Sequence, residues 1–312
     1  MSKKLEDLSQ INEELNGALS LLQDRLGDLP IQESAHGNIV QGTASLLQRC
    51  ADIVGEEKKA KPVIRVIHHL ACSGGSLISK CISSMPNVFL LSETHPTAFG
   101  KHERDNISFS PTNIPLQCHY ANIPDLNSLN SELFKSSIRL VHRHCENIGG
   151  YLVLREHSHS DFTSENDVPT ESPLLSLLKD DYDIRSLVTV REPTEAYSSL
   201  KRNGWIRFKP PSFDEYCRRL NLFLSQFNKT QIYKYENFID YPKETMESMC
   251  EHLRLGFNES FEYIFDYFKV SGDSGRKGSV IEKRPREIVQ EVIESKDNSS
   301  NYKNFLKEYY SN

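Results

Sequence analysis

A short run of serine and glycine, Ser73 to Ser76, is the first stretch of the sequence whose residue types suggest chemistry. It follows an apolar segment rich in β-branched residues, which predicts a buried strand that starts at residue 63 and breaks at residue 71. It precedes apolar residues at helical spacing over residues 77–82. A strand, a turn of small residues and a helix N-terminus can bind a phosphate group, because free backbone amides face the anion. The run is therefore a candidate anion-binding loop.

The loop lacks the lysine that the GxxxxGK[ST] pattern of magnesium-nucleotide sites requires, because it reads Cys72-Ser73-Gly74-Gly75-Ser76. A magnesium-bound nucleotide triphosphate is therefore poorly supported. By itself the loop is also compatible with a plain tight connection between a strand and a helix. Residues further along the chain decide between these interpretations.

Charged and histidine side chains come directly after three further apolar segments, at Glu93, Arg155, His157 and Arg191. A carboxylate or an imidazole can remove a proton from a hydroxyl group. A guanidinium can bind phosphate through two parallel hydrogen bonds, or stabilise charge on a departing phosphate. Anion binding and proton removal are both available if the fold brings these segments together.

Alternating strand and helix patterns predict an α/β fold, a parallel sheet flanked by helices. Further strands are predicted over residues 88–91, 151–154, 186–190 and 231–235, and helices over about 128–148, 193–200, 212–227 and 242–255. Pro193 is well placed to open one helix, and Ser212 with Glu215 forms a capping box at the start of another. Such sheets bind ligands at the carboxyl ends of their strands, so the candidate residues are expected at one edge.

The overall composition argues against several classes of protein. The chain has 312 residues, 38% of them hydrophobic, and a net charge of −6, which does not fit a general nucleic-acid-binding protein. It shows no apolar signal segment and no apolar run long enough to span a membrane. Its seven cysteines have no CxxC spacing, which favours reduced thiols. We therefore expect a cytoplasmic protein with no transmembrane segment and no nucleic-acid partner.

Two segments are expected to lie outside the sheet. Leucine and isoleucine recur every three or four positions over residues 3–27, and a second helix is predicted over 39–54. Residues 1–60 are thus expected to form a helical extension, and residues 61–312 the α/β domain. The apolar face of the extension either packs on the domain or forms a homodimer. The polar, proline-rich segment 97–128 is expected to be a loop that covers the site.

Other polar residues fit structural positions better than a site. The run from His142 to Cys145 lies on a predicted helix, where consecutive side chains point in different directions. It is therefore expected on a solvated face and not around a metal ion, and no metal site is predicted. Lys80 lies about one turn into its helix and is expected to point to solvent.

Four segments, in their order and spacing, resemble the PAPS-dependent sulfotransferase family of the bacterial type. They are the small-residue loop with the strand that ends in Ser92-Glu93, then residues 190–205 (VREPTEAYSSLKRNGW), 234–257 and 271–279 (SGDSGRKGS). Members of this family transfer a sulfonyl group from 3′-phosphoadenosine 5′-phosphosulfate (PAPS) to a hydroxyl or amine, without a metal, on a P-loop-like α/β sheet. The resemblance implies PAPS as donor and a small-molecule or carbohydrate acceptor.

The resemblance also assigns residues to the two phosphate groups of the donor. The 5′-phosphosulfate loop corresponds to Ser73, Gly74, Gly75 and Ser76. The 3′-phosphate contacts correspond to Arg191, Ser199 and a C-terminal clamp of Arg276, Lys277 and Gly278. These residue types suit the role, because arginine offers a planar fork to phosphate and glycine lets backbone amides approach it.

The loop departs from the family at Cys72, where relatives carry the lysine or arginine that stabilises charge on the departing phosphate. Arg155 is the expected substitute, since it ends a strand where relatives often place a lysine. His68 and His69, which lie within the first strand, are weaker candidates. If no cation replaces the missing one, the protein is an inactive nucleotide-binding homologue.

Glu93 and His157 are alternative general bases. Glu93 matches the glutamate of tyrosylprotein-type and several bacterial sulfotransferases, whereas His157 resembles the histidine of the Lys-x-His arrangement in cytosolic small-molecule enzymes. We expect Glu93 to be the primary base, Arg155 to supply the cation and His157 to assist or to orient the acceptor. A phosphotransferase that uses ATP is the alternative function, although the sequence offers neither a P-loop lysine nor recognisable magnesium ligands.

Overall fold

The computed structural model describes residues 61–96, 112–164, 167–272, 280–283 and 287–310. The predicted helical extension 1–60, the clamp Arg276, Lys277 and Gly278, and residues 97–111 of the expected covering loop lie outside the described residues. The extension, its homodimer contact and the domain boundary near residue 60 stay predictions.

The described residues contain a sheet of strands β1 (Val63–His69), β2 (Val88–Thr94), β3 (Tyr151–Glu156), β4 (Asp183–Val190) and β5 (Ile232–Lys234). All pairings are parallel, and the strand order is β2-β3-β1-β4-β5. The predicted α/β class, a parallel sheet flanked by helices, is confirmed. Because the strands are parallel, β1 to β4 all end at one edge, where the candidate residues follow them.

The helices of the described residues are α1 (Gly75–Ser83), α2 (Ile114–Tyr120), α3 (Leu126–Asn147), α4 (His159–Phe162), α5 (Pro173–Leu178), α6 (Pro193–Arg202), α7 (Phe213–Leu224), α8 (Tyr235–Asp240), α9 (Pro242–Leu253), α10 (Phe261–Ile264), α11 (Gln290–Ser295) and α12 (Ser300–Phe305). Short 3₁₀ turns cover Lys229–Gln231, Phe265–Tyr267 and Lys296–Asn298, and a π turn covers Leu306–Tyr310. Each described helix is too short or too polar to cross a bilayer.

Local sequence explains where the helices beside the site begin. Pro193 is the first residue of α6, as predicted, where its missing N–H costs nothing. Ser212 caps α7, since its hydroxyl accepts a hydrogen bond from the backbone N–H of Glu215 at 3.3 Å. The Glu215 carboxylate does not complete the capping box, because it pairs with Arg218 and Arg219.

Both faces of the sheet are covered by apolar clusters. On one face, Ile67 and Leu187 pack against α1 and α9. On the other, Val66 packs near α3 and α5, and Val188 packs near α6 and α7. Adjacent residues of a strand point to opposite faces, so strands buried on both sides read as continuous apolar runs. This burial holds the strand ends, and therefore the site, in fixed positions.

The segment expected to be an irregular covering loop is helical over α2. Asn113 caps this helix, since its side chain accepts a hydrogen bond from the backbone N–H of Leu116 at 3.0 Å. Pro115, one of the prolines of this segment, lies in the first turn of α2. Proline is tolerated there because the first N–H groups of a helix have no intrahelical partner.

Some polar residues expected in solvent are buried, which corrects two predictions. Lys80 lies on the inner side of α1 and is only 7% exposed. His142 and Cys145 are buried, whereas the intervening Arg143 and His144 are exposed as expected. Residues three apart lie on one face of a helix, so the two outer residues of this run turn inward together.

Candidate active site

A cavity of about 530 Å³ lies at the carboxyl edge of the sheet. Most of the predicted site residues line it, namely Gly74, Gly75, Ser76, Glu93, Arg155, His157, Arg191 and Ser199. Ser73 does not line the cavity. It is buried, and its hydroxyl donates a hydrogen bond to the carbonyl of Leu70 at 2.7 Å. The structure thus brings the ends of β1, β2, β3 and β4 together around one space.

The small-residue loop is a close-fitting turn in which glycine is required at two positions. Gly74 has φ +86, and a Cβ atom there would lie 2.1 Å from the ring of Tyr235. A Cβ atom at Gly75 would lie 2.3 Å from the ring of His69. No side chain caps the N-terminus of α1, so its first N–H groups lack a side-chain acceptor. This geometry suits the binding of an anion.

Arg155 connects the small-residue loop with the predicted base. It is 2% exposed, and its guanidinium donates to five acceptors. These are His69 Nε2 at 2.7 Å, Ser92 Oγ at 2.7 Å, the Ser271 carbonyl at 2.9 Å, Ser76 Oγ at 3.0 Å and Glu93 Oε1 at 3.0 Å. So many contacts fix a positive charge between the loop and Glu93.

His69 serves this arginine as an acceptor. Burial and the charge of Arg155 lower the pKa of His69 well below 6.5, so its imidazole is neutral. Its Nδ1 lies 3.1 Å from the carbonyl of Leu70, which places the proton on Nδ1 and leaves Nε2 to accept from Arg155. His69 therefore cannot supply the cation that is missing at Cys72.

Glu93 occupies a strained position at the end of β2. Its φ is +58, which is unusual for a residue with a side chain and typical of functional sites. Burial alone would raise the pKa of its carboxyl group. The hydrogen bond from His157 and the charge of Arg155 outweigh burial and lower the pKa from 4.5 to about 2. Glu93 is therefore a stable anion at neutral pH.

His157 donates its Nδ1 proton to this anion, which leaves the lone pair on Nε2. Its ring centroid lies 3.7 Å from that of His159. Glu93, His157 and His159 each offer a ligand atom, and these atoms lie within 4.8 Å of one another, so this cluster could hold a metal ion. The expectation of a metal-free site stays a prediction.

A buried hydrogen-bonded chain under the site was not predicted. The Glu156 carboxylate lies 2.7 Å from His68 Nδ1, accepts from Ser158 at 2.8 Å and also accepts from Ser172. His68 Nε2 lies 3.1 Å from Ser186 Oγ, so the chain crosses β3, β1 and β4. These hydrogen bonds fix the end of β3, and with it the neighbouring residues Arg155 and His157. Alternation along β3 signals that Glu156 points away from the cavity, but it does not reveal these partners.

Arg191, at the end of β4, contributes a buried donor on the other side of the small-residue loop from β3. It is 5% exposed, pairs with Glu195 and lies with its guanidinium carbon 4.9 Å from the ring centre of Tyr235. Among the described residues its Nε has no hydrogen-bond partner. Ser199 lies two turns along α6 and lines the same cavity. A buried N–H donor without a partner costs free energy unless a ligand accepts its hydrogen bond.

Sequence reasoning did not single out the rest of the wall, which includes Thr163, Ser164, Trp205, Arg207 and Tyr235. The Tyr235 ring lies against both Gly74 and Arg191, so it connects the small-residue loop with the arginine at the end of β4. The available signal for Tyr235 was its place as the last residue of the fifth predicted strand, within the segment 234–257 that resembles the sulfotransferase family. The other four residues follow helices or loops whose patterns carry no such signal.

No family model and no curated protein matches the chain. Among solved structures it is similar to the sulfotransferase domain of the Synechococcus PCC 7002 olefin synthase, with 13% identity, coverage of 79% of this chain and 95% of that domain, and a TM-score of 0.46. It is similar to the sulfotransferase domain of the curacin biosynthetic pathway, with 16% identity, coverage of 77% and 98%, and a TM-score of 0.45. A sulfotransferase from Alicyclobacillus acidocaldarius matches with 13% identity, coverage of 65% and 89%, and a TM-score of 0.36. These three structures are of sulfotransferases or sulfotransferase domains.

Proposed function

We propose that this protein transfers a sulfonyl group from PAPS to a hydroxyl or amine acceptor. The observation that carries the proposal is the position of Arg155, which contacts Ser76 of the loop and Glu93 in one cavity. Donor loop, fixed cation and the hydrogen-bonded pair of Glu93 and His157 are therefore neighbours. Transfer between a bound phosphosulfate and an acceptor hydroxyl requires this proximity.

The donor would lie along the wall from α1 to α6. The N-terminus of α1 and the amides freed by Gly74 and Gly75 suit the 5′-phosphosulfate. The unpartnered Nε of Arg191, with Ser199, suits the 3′-phosphate. The clamp Arg276, Lys277 and Gly278 is proposed for the same phosphate on sequence resemblance alone.

Arg155 would take the role that lysine or arginine plays at the position of Cys72 in relatives. As the acceptor oxygen bonds to sulfur, the bond between sulfur and the bridging oxygen of the 5′-phosphate breaks, and negative charge develops on the phosphate. A fixed cation that already contacts the loop stabilises this charge without rearrangement. The product nucleotide is 3′,5′-adenosine bisphosphate.

The electrostatics favour His157 over Glu93 as the group that removes the acceptor proton. A general base works best when its pKa is near the working pH, and the pKa of Glu93 is about 2. His157 donates Nδ1 to Glu93, so its Nε2 can accept the proton while Glu93 stabilises the imidazolium that forms. We therefore assign proton removal to His157 and its orientation to Glu93, the alternative that the sequence left open.

The test has two parts. Thermal unfolding is measured with 3′,5′-adenosine bisphosphate, with adenosine 5′-monophosphate and with magnesium ATP, because a ligand at 100 times its dissociation constant stabilises a protein by about 2.7 kcal/mol. Transfer from radiolabelled PAPS is then measured with a panel of phenols, alcohols, carbohydrates and amines.

We expect stabilisation by the bisphosphate above both other nucleotides, and label transfer to at least one acceptor class. Stabilisation by magnesium ATP alone would support the phosphotransferase alternative. Stabilisation by the bisphosphate without transfer to any acceptor would support an inactive nucleotide-binding homologue.

A further inference from the structure

The last described residues of the chain, Ser299–Tyr310, lie beside the turn that carries Arg191. This C-terminal segment consists of α12 and the π turn that follows it. Phe305 of the segment is fully buried in the cluster around α6 and α7. The segment therefore belongs to the folded core, and its contacts with the Arg191 turn are held in place.

Glu192 is the residue through which these contacts reach the turn. One carboxylate oxygen, Oε2, caps α6 by accepting from the backbone N–H groups of Thr194 at 2.9 Å and Glu195 at 3.2 Å. The other oxygen, Oε1, accepts a hydrogen bond from the hydroxyl of Tyr302 at 2.8 Å. Tyr302 thus fixes the side chain that shapes the turn directly after Arg191.

A second contact holds the backbone of the same turn. The N–H of Glu192 donates to Oε1 of Glu236 at 2.9 Å. Oε2 of Glu236 accepts from the hydroxyl of Tyr310 at 2.7 Å, and the Tyr310 ring lies 4.4 Å from the Nζ of Lys234. Burial and the neighbouring carboxylates raise the pKa of Tyr302 and Tyr310, so both hydroxyls stay protonated donors.

The segment stays in place by contacts that do not involve either hydroxyl. Asp214 of α7 accepts from Ser299 Oγ at 2.5 Å and from Asn301 Nδ2 at 2.7 Å. Asn221 Nδ2 donates to the carbonyl of Asn301 at 2.9 Å. Removal of the two hydroxyls therefore leaves the segment docked and changes only the support of the turn.

We propose that Tyr302 and Tyr310 are positioning residues that hold Arg191 in the orientation required to bind the 3′-phosphate of the nucleotide. This inference rests on the proposed function. Neither tyrosine lines the cavity, so both act through Glu192 and Glu236. The turn is fixed on both of its sides, by the Glu192 carboxylate and by the Glu192 backbone.

The test compares the affinities of two nucleotides that differ only in the 3′-phosphate. Tyr302→Phe, Tyr310→Phe and the double variant are titrated calorimetrically with 3′,5′-adenosine bisphosphate and with adenosine 5′-monophosphate. Tyr309→Phe is the matched control, because it lies in the same π turn and its hydroxyl makes no hydrogen bond to the described residues that the structure shows. Thermal unfolding of each variant accompanies the titrations.

We expect the double variant to bind the bisphosphate about tenfold more weakly, with a change of less than about twofold for the monophosphate. The single variants should lie between, and Tyr309→Phe should match the wild type. A lower unfolding temperature with an unchanged ratio of the two affinities would overturn the inference in favour of a purely structural role. Unchanged affinities in all variants would also overturn it. A wild-type protein that does not prefer the bisphosphate would instead overturn the proposed function, and this inference with it.

Discussion

The charged residues on two parts of the cavity wall differ in how completely their hydrogen bonds are satisfied by the protein. On the wall proposed for catalysis, called the catalytic wall, the Arg155 guanidinium donates to five acceptors, and Glu93 accepts from both Arg155 and His157. On the wall proposed to bind the nucleotide, called the donor wall, Arg191 has one carboxylate partner, Glu195. Its buried Nε donates a hydrogen bond to none of the described residues. On the first wall, Arg155 and Glu93 already have partners without a ligand, whereas on the second the Nε of Arg191 remains as a donor for one.

This difference separates the two tasks of the proposed site. A group that stabilises a transition state works best when it is already oriented, so its polar contacts form during folding. A group that recognises a ligand gains affinity from contacts that form only on binding. Substitutions on the catalytic wall should therefore alter turnover and stability, and those on the donor wall should alter nucleotide affinity.

Loss of the proposed base should have the largest effect. We expect His157→Ala to lower turnover by about 10² to 10⁴-fold with little change in affinity for 3′,5′-adenosine bisphosphate. Steady-state kinetics and calorimetry measure the two quantities. His159→Ala is the matched control, since its ring lies next to that of His157 in the same cavity. If His159→Ala lowered turnover by this amount and His157→Ala left it nearly unchanged, the base would have to be reassigned.

Arg155→Ala should affect both turnover and stability. Removal of the fixed cation should lower turnover by about 10² to 10³-fold. It also leaves the half-buried carboxylate of Glu93 with one partner fewer, and the cost should lie below the roughly 3 to 5 kcal/mol typical of breaking a fully buried ion pair.

Adding Cys72→Lys to Arg155→Ala sharpens this prediction, because it places a cation where relatives of the proposed family carry one. We expect the double variant to recover part of the lost turnover but none of the lost stability, since lysine cannot reproduce five hydrogen bonds. Kinetics and urea unfolding separate the two effects. If both variants kept near-normal turnover, the cation would have to lie elsewhere.

On the donor wall, Arg191→Ala should weaken binding of 3′,5′-adenosine bisphosphate by about 10 to 100-fold, the loss of a charge-assisted contact. Binding of adenosine 5′-monophosphate should change little, because the loop at α1 is intact. Arg202→Ala, exposed at the end of α6, is the control for a lost positive charge. Equal losses for both nucleotides would remove Arg191 from the 3′-phosphate.

The smallest predicted effect is a pH dependence of stability on the catalytic wall. The pKa of Glu93 is about 2 in the folded protein and 4.5 in the unfolded chain, so its ionisation stabilises the fold above pH 4.5. This contribution is lost as the pH falls from 4.5 towards 2. We therefore expect the difference in unfolding free energy between wild type and Glu93→Gln to be largest near neutral pH and to shrink on acidification.

Urea unfolding at a series of pH values measures this difference. Glu259→Gln is the control, because Glu259 pairs with Lys243 on the surface, where solvent screens the interaction. A Glu93→Gln difference that stayed constant between neutral pH and pH 3 would mean that the carboxylate does not carry the stabilisation.

Sequence patterns located the strands and the residues at their ends because these depend on local chemistry. Apolar runs marked β1 to β4, Pro193 marked the start of α6, and the candidate residues follow directly. Burial of Lys80 and the contact between Glu156 and His68 could not be predicted this way. Both depend on which elements pack together, whereas periodicity shows only the face on which a residue lies.

Other residues around the cavity also show that sequence patterns do not reveal which elements pack together. Tyr235 ends a predicted strand, yet only the fold shows that its ring lies against Gly74 and Arg191. The proposed role of Tyr302 depends on a contact with Glu192, 110 residues earlier in the chain. That of Tyr310 depends on a contact with Glu236, 74 residues earlier. Such long-range pairings leave no trace in a single sequence.

The chain of hydrogen bonds under the site has a consequence for folding. His68 of the central strand meets Glu156 and Ser186, which follow it by 88 and 118 residues. Pairing over such distances must overcome loop-closure entropy before any contact compensates it, and it slows folding. The candidate site should therefore appear late, when β3 and β4 join β1 in one step. A nascent chain that ends before β4 would contain the loop, Glu93 and Arg155, and still have no site.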